Sequence, residues 1–269
     1  MVKTEARRVA QQADRSPVLT IAARVGFAML GLLHLLIGIL AIAIAVGAGG
    51  QEADQSGALE QVAAAPLGGV LLWVVALGLL ALGLWQLLEG VLVRESEPTK
   101  KWGRRAAEWG KAIAYLAIGV LALGFALGSR SSSSESSQRV SGELLSTPGG
   151  VFVLVLVGLA TLGIGIGFVV IGVRRTFAKQ LRLPAGAARG VVLGTGVVGY
   201  VAKGIALAAA GVLFVVAALT GDPEAAGGID AGLRSLADLP AGEVLLWLTG
   251  LGLIVYGGYC GLRSWFGRF

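Results

Sequence analysis

Cysteine, histidine and charge are all scarce in this chain of 269 residues. Cys260 is the one cysteine and His34 the one histidine. A single thiol excludes an intrachain disulfide and a cysteine-built metal cage. One histidine without H-E-x-x-H spacing leaves no usual zinc site. Charged residues make up 14% of the chain, against about a quarter in a soluble domain. No phosphate-cradling G-x-x-x-x-G-K-[ST], no nucleophile elbow G-x-S-x-G and no cluster of carboxylates is present. These absences argue against an enzyme or an ATP-driven pump, and no catalytic residue, metal or cofactor is expected.

Apolar sequence is what the chain has in excess, at 55% of residues with a mean hydropathy of +0.80. Six apolar stretches run over about 25–46, 68–92, 112–127, 151–173, 197–219 and 244–262. A helix needs about 20 residues to cross the hydrocarbon core. Five stretches meet that, and the third does so by including Trp109 to Lys111. Backbone groups in hydrocarbon must be satisfied internally, so the segments are helices. The fold class expected is all-α, an integral membrane bundle of six transmembrane helices.

The six helices form three tandem repeats. Gly26, Gly31 and Gly38 have the spacing of Gly199, Gly204 and Gly211, with Ala107, Ala112 and Gly119 between. Pro66, Pro148 and Pro240 each precede a second helix and are followed two residues later by Gly68, Gly150 or Gly242. Gly83, Gly165 and Gly257 also correspond. The organisation is an N-terminal segment 1–22, repeat 23–94, linker 95–104, repeat 105–175, basic linker 176–195 and repeat 196–269. Recurrence of the first helix's glycines at 199–211 excludes a cleaved signal peptide for that helix. Stripes of small residues let membrane helices approach closely.

Lys and Arg number five before the first helix, six between the second and third, six between the fourth and fifth, and two at the C-terminus. The other three loops hold only Arg130, Arg139 and Arg234, with ten acids. The positive-inside rule then places both termini in the cytoplasm. Attraction of these basic loops to anionic lipid head groups explains the net +6, and no nucleic-acid partner is implied. In the basic linker, Phe177, Leu181 and Leu183 suggest a segment lying flat on the inner leaflet. Leu59 and Val62, Leu144 and Leu145, and Leu233 and Leu236 precede the shared prolines, which suggests a short capping or re-entrant helix in each outer loop. Ser131 to Ser137 reads as flexible low-complexity sequence without function.

Four residues are candidates for ligand binding: His34, Tyr115, Gln86 and Glu89. His34 lies near the bilayer midplane, where a polar group is costly and often functional. Tyr115 and Leu207 hold its place in the other repeats. Gln86 and Glu89 sit one turn apart, with Arg263 or Lys203 as possible partners for Glu89. A structural role in packing or ion pairing is the plainer reading of each. Lys111 and Lys203 read as snorkelling cations. Tyr200, Tyr256, Tyr259, Trp73, Trp85 and Trp247, with Tyr115, could line a cavity for a lipid, quinone or pigment, but aromatic belts and helix packing explain them without a ligand.

Ala23, Arg24, Gly26 and Phe27, together with the three P-x-G sequences, resemble a bacterial family called domain of unknown function 1206. Its members look like six-span proteins of three two-helix repeats. Gly199, Tyr200 and Gly204 match in part, and Ala106 to Gly110 most weakly. The resemblance covers about residues 20–266 and implies fold and topology, with no activity. It makes a bacterial inner (plasma) membrane the expected location. The function expected is non-enzymatic, binding or gating a small apolar or amphipathic molecule within the bundle. The alternative is an accessory subunit packed against a larger membrane assembly, or a homo-oligomer.

Overall fold

The computed structural model describes residues 17–48, 50–93, 95 and 97–268. The sequence reading of residues 1–16 as a short helix or tail therefore lies outside the described residues. Among those described, the fold is nine α-helices in a long–short–long pattern repeated three times: α1 Pro17–Ala45, α2 Gln55–Ala64, α3 Gly68–Leu92; α4 Pro98–Ala126, α5 Ser133–Leu145, α6 Gly150–Val173; α7 Ala187–Thr220, α8 Gly228–Ala237, α9 Gly242–Phe266. The six long helices are each apolar and long enough to cross a bilayer. The protein is a multi-pass integral membrane protein of three tandem repeats.

Both linkers differ in structure from the sequence reading. The helix α4 begins at Pro98, so most of 95–104 is its first turns rather than a linker. Proline at the first turn lacks only an N–H that would be orphaned anyway, which explains a start before the apolar stretch. In the basic linker, Thr176–Gln180 forms a 3-10 turn that carries Phe177 and Leu181 inward, both buried. Their apolar surface is covered by protein, which corrects their reading as a face lying on lipid.

The short helices in the three loops occur as the apolar pairs suggested. Leu59, Val62, Leu233 and Leu236 are buried. Leu144 and Leu145 pack on Leu154, Ala217, Ala218 and Ala226. Each short helix passes to the next long one through the same hinge. The residue between proline and glycine is left-handed in all three copies: Leu67 (φ 62°), Gly149 (φ 81°) and Ala241 (φ 59°). The following glycine N–H then bonds back three residues, Gly68 to Ala65, Gly150 to Thr147 and Gly242 to Leu239. A Cβ on Gly150 would run into the Leu144 carbonyl, and one on Gly242 into the Ala237 carbonyl. The long helix thus starts at the glycine, two residues after the proline.

The chain divides into two compact units. One contains the described parts of Met1–Leu30, Ala63–Ser129 and Cys260–Phe269; the other contains Gly31–Val62 and Arg130–Tyr259. In the first unit α3 packs on α4, Gly83 facing Leu116 and Gly119 facing Leu80. In the second unit α6 packs on α7 through Gly165 with Gly204 and Gly158 with Gly211. There too α9 packs on α1 through Gly257 with Gly31 and Gly250 with Gly38. The seams join repeat to repeat at equivalent positions, so the glycine pattern encodes contacts between copies.

Candidate functional site

The first unit holds three of the four sequence candidates. Gln86 on α3 is buried, and its Nε2 donates to Glu108 on α4. Glu108 also pairs with Lys111 one turn on. Glu89 and Arg263 lie close enough to Lys111 to act on it electrostatically. Arg263 sits over the Phe27 ring at 4.3 Å, and Phe27 meets Tyr115 edge-on at 6.4 Å. The unit thus gathers Gln86, Glu89 and Tyr115 into one polar and aromatic network. Glu108 is its hub, a residue that sequence reasoning passed over as part of a basic stretch.

His34 belongs to the second unit. It is buried and meets Tyr256 edge-on at 4.7 Å between ring centroids. Tyr256 in turn contacts Tyr200 and Tyr259, and Phe177 stacks on Tyr200 at 5.2 Å. Lys203 lies over Tyr256 at 4.7 Å and Phe168 at 5.1 Å. The half-buried Lys203 thus sets its ammonium over two rings, a cation–π contact. Trp73 and Trp247 are part-exposed, whereas Trp85 is buried.

Above this aromatic core the second unit brings its loops together. The loop before α2 carries Glu52 and Asp54. Asp54 caps α2, its Oδ1 accepting from the Ser56 N–H (2.9 Å), the Gly57 N–H (3.1 Å) and the Ser56 hydroxyl (2.6 Å). An aspartate here satisfies helix N–H groups that have no partner within the helix. The serine run Ser131 to Ser137, read from sequence as flexible, forms the cap and first turns of α5. Ser132 Oγ accepts from the Glu135 N–H at 2.9 Å. The Ser133 N–H donates to Ser56 at 3.0 Å, and Ser134 donates to the Gly227 carbonyl at 2.9 Å. From α8, Asp230 Oδ1 accepts from the Ala53 N–H at 2.7 Å while Oδ2 pairs with Arg234 at 2.8 Å. Arg234 also donates to the Gln51 carbonyl. Segments from all three repeats are thereby cross-linked into one polar cap.

Under this cap lies a recess of ≈ 190 Å³. Polar groups in its lining come from Asp54, Gln55, Ser133, Ser137, Thr161 and the Gly227–Gly228 backbone. Its apolar lining comes from Leu207, Ala210, Phe214 and Ile229. Leu207, Ala210 and Phe214 follow i, i+3, i+7 spacing and so share one face of α7. The α8 backbone is pressed onto α7, a Cβ on Gly232 falling 2.7 Å from the Ala210 nitrogen. Leu207 occupies the repeat position that His34 and Tyr115 hold elsewhere.

Electrostatics single out Asp54. Burial raises its carboxyl from 3.8 to about 6; the bonds from Ser56 and Gly57 oppose the rise, and Glu52 and Asp230 add to it. Among the described residues no group of three or more His, Cys, Asp or Glu is placed to share a metal ion. Sequence reasoning missed the recess. The signals were present in the D-x-S-G start of α2, in the S-x-x-E capping box at Ser132–Glu135, and in the ten acids of these loops.

Comparison with known proteins places the chain among relatives without an assigned activity. It is 31% identical over 245 residues to the uncharacterized protein YxxB of Bacillus subtilis (strain 168), covering 90% of this chain and 88% of that one. No solved structure matches it. The family described as Domain of Unknown Function (DUF1206) matches three times, at residues 25–92, 109–175 and 198–267, each match covering one two-helix repeat. The chain belongs to the DUF1206 family.

Proposed function

We propose that this protein is a non-enzymatic membrane protein that binds a small amphipathic molecule in the recess beneath the cap of short helices. The observation that carries this reading is the mixed character of the lining. The buried Asp54 carboxylate, serine hydroxyls and backbone groups share it with apolar side chains of α7 and α8. Ligand sites are typically apolar concavities with a few placed polar groups. The volume suits a small ring compound, since an engineered cavity of about 150 Å³ takes up benzene. The network around Gln86, Glu89, Tyr115 and Glu108, and the His34–Tyr256 pair, serve in this reading as packing that holds the helices. The protein sits in a bacterial inner membrane with both termini cytoplasmic, which the distribution of Lys and Arg supports. Native mass spectrometry of the purified protein tests the reading. A small adduct is expected on the wild type and absent from Leu207→Trp, which fills the recess; an adduct unchanged in Leu207→Trp would refute the site.

A second reading is favoured by α6, whose apolar length is only 17% covered by protein. Gly163 and Gly167, four apart, have open space around them. Such a spacing lets a partner helix approach closely, as an accessory subunit or a second copy of this chain would.

A further inference from the structure

Asp54 lines the recess, is 1% exposed, and receives all its hydrogen bonds on Oδ1. Among the described residues no donor or cation reaches its Oδ2. Arg234, which pairs with the neighbouring Asp230, also donates to the Gln51 carbonyl. The charged groups acting on Asp54 are Glu52 from its own loop and Asp230 from α8, which carries Arg234, while α5 contributes Ser133 and Ser137 to the same lining. A buried carboxylate among other carboxylates needs a donor or a positive charge. Carboxylate or phosphate ligands meet repulsion at this end.

Resting on the reading of the recess as a ligand site, we propose that its ligand is a small primary amine, the ammonium donating to Asp54 Oδ2 and the apolar body lying on Leu207, Ala210 and Phe214. A charge-assisted hydrogen bond fixes the head. The size of the recess selects a ring or short chain over a lipid tail, because sites for larger ligands begin at about 300 Å³.

Calorimetric titration of the protein in nanodiscs with benzylamine, benzyl alcohol and benzoate tests this. At about pH 8 benzylamine is expected to bind about tenfold or more tighter than benzyl alcohol, the worth of one charge-assisted bond. At about pH 5, where Asp54 is mostly protonated and benzylamine still charged, that advantage is expected to fall about tenfold. Asp54→Asn keeps the α2 cap and is expected to reduce benzylamine to the level of benzyl alcohol at both pH values. Glu52→Gln is expected to retain the difference. Should Asp54→Asn fail to fold, the pH pair on the wild type decides. Equal binding of benzylamine and benzyl alcohol at both pH values, with both lost in Leu207→Trp, overturns the amine while leaving the recess intact. Failure of every probe to bind, or binding unaffected by Leu207→Trp, overturns the recess reading and the amine with it.

Discussion

Gly165 on α6 and Gly204 on α7 meet backbone to backbone: a Cβ on Gly165 would fall 2.7 Å from the Gly204 carbonyl oxygen, and one on Gly204 would fall 2.6 Å from that of Gly165. The pair recurs as Gly257 with the Gly31 carbonyl. Close approach of this kind maximises van der Waals contact in a medium that offers no hydrophobic drive between helices. Gly165→Ala, and equally Gly250→Ala, is expected to destabilise by about 1–3 kcal/mol through overpacking. Gly163→Ala, where nothing lies within contact distance, is expected to be neutral or slightly stabilising. Unfolding midpoints in detergent check all three.

The P-x-G hinge makes opposite predictions for adjacent residues. Leu67 and Ala241 hold a left-handed conformation that costs a side-chain residue about 1–2 kcal/mol. Gly149 holds the same place without that cost. Leu67→Gly and Ala241→Gly are therefore expected to raise the unfolding midpoint. One residue further on, Gly242→Ala is expected to lower it by more than about 1 kcal/mol, because its Cβ meets backbone carbonyls that cannot yield. A hinge without structural importance would show neither sign.

Much of this fold is legible in the sequence. Spans follow from apolar length, repeats from glycine and proline spacing, and short helices from the apolar pairs Leu59/Val62 and Leu233/Leu236. The partner of each glycine was not legible. A stripe shows that a face packs closely without showing on what, and Gly165 meets the next repeat rather than its own. The contact of Lys203 with Phe168 and Tyr256 was hidden for the same reason: the two rings belong to other helices. The recess escaped notice because its polar wall comes from three separate loops, one a serine run that composition alone marks as unstructured.

Asp54 gives the cap a pH dependence of definite sign. An acid whose folded value of about 6 lies above its ordinary 3.8 holds its proton more tightly in the native state. Its contribution to stability is greatest below about pH 4 and falls as pH rises through about 6. The wild type minus Asp54→Asn difference in unfolding midpoint is expected to decline across that window. A difference that is flat or rises with pH contradicts the burial argument.

Orientation is open to a direct check in intact cells, with a membrane-impermeant maleimide and Cys260→Ala as background. Lys179→Cys, exposed on the basic segment after α6, is expected to stay unlabelled. Glu143→Cys, exposed on α5, is expected to react. The reverse pattern would invert the topology.

The recess itself is tested most directly by ligand protection at Ser137, which lines it. In a Cys260→Ala background, the thiol of Ser137→Cys should react with a small maleimide in the empty protein. Benzyl alcohol at about ten times its dissociation constant should slow that reaction about tenfold, by simple mass action. The same ligand should have no effect on Glu143→Cys. A Ser137→Cys rate indifferent to ligand at saturating occupancy would contradict binding at this site.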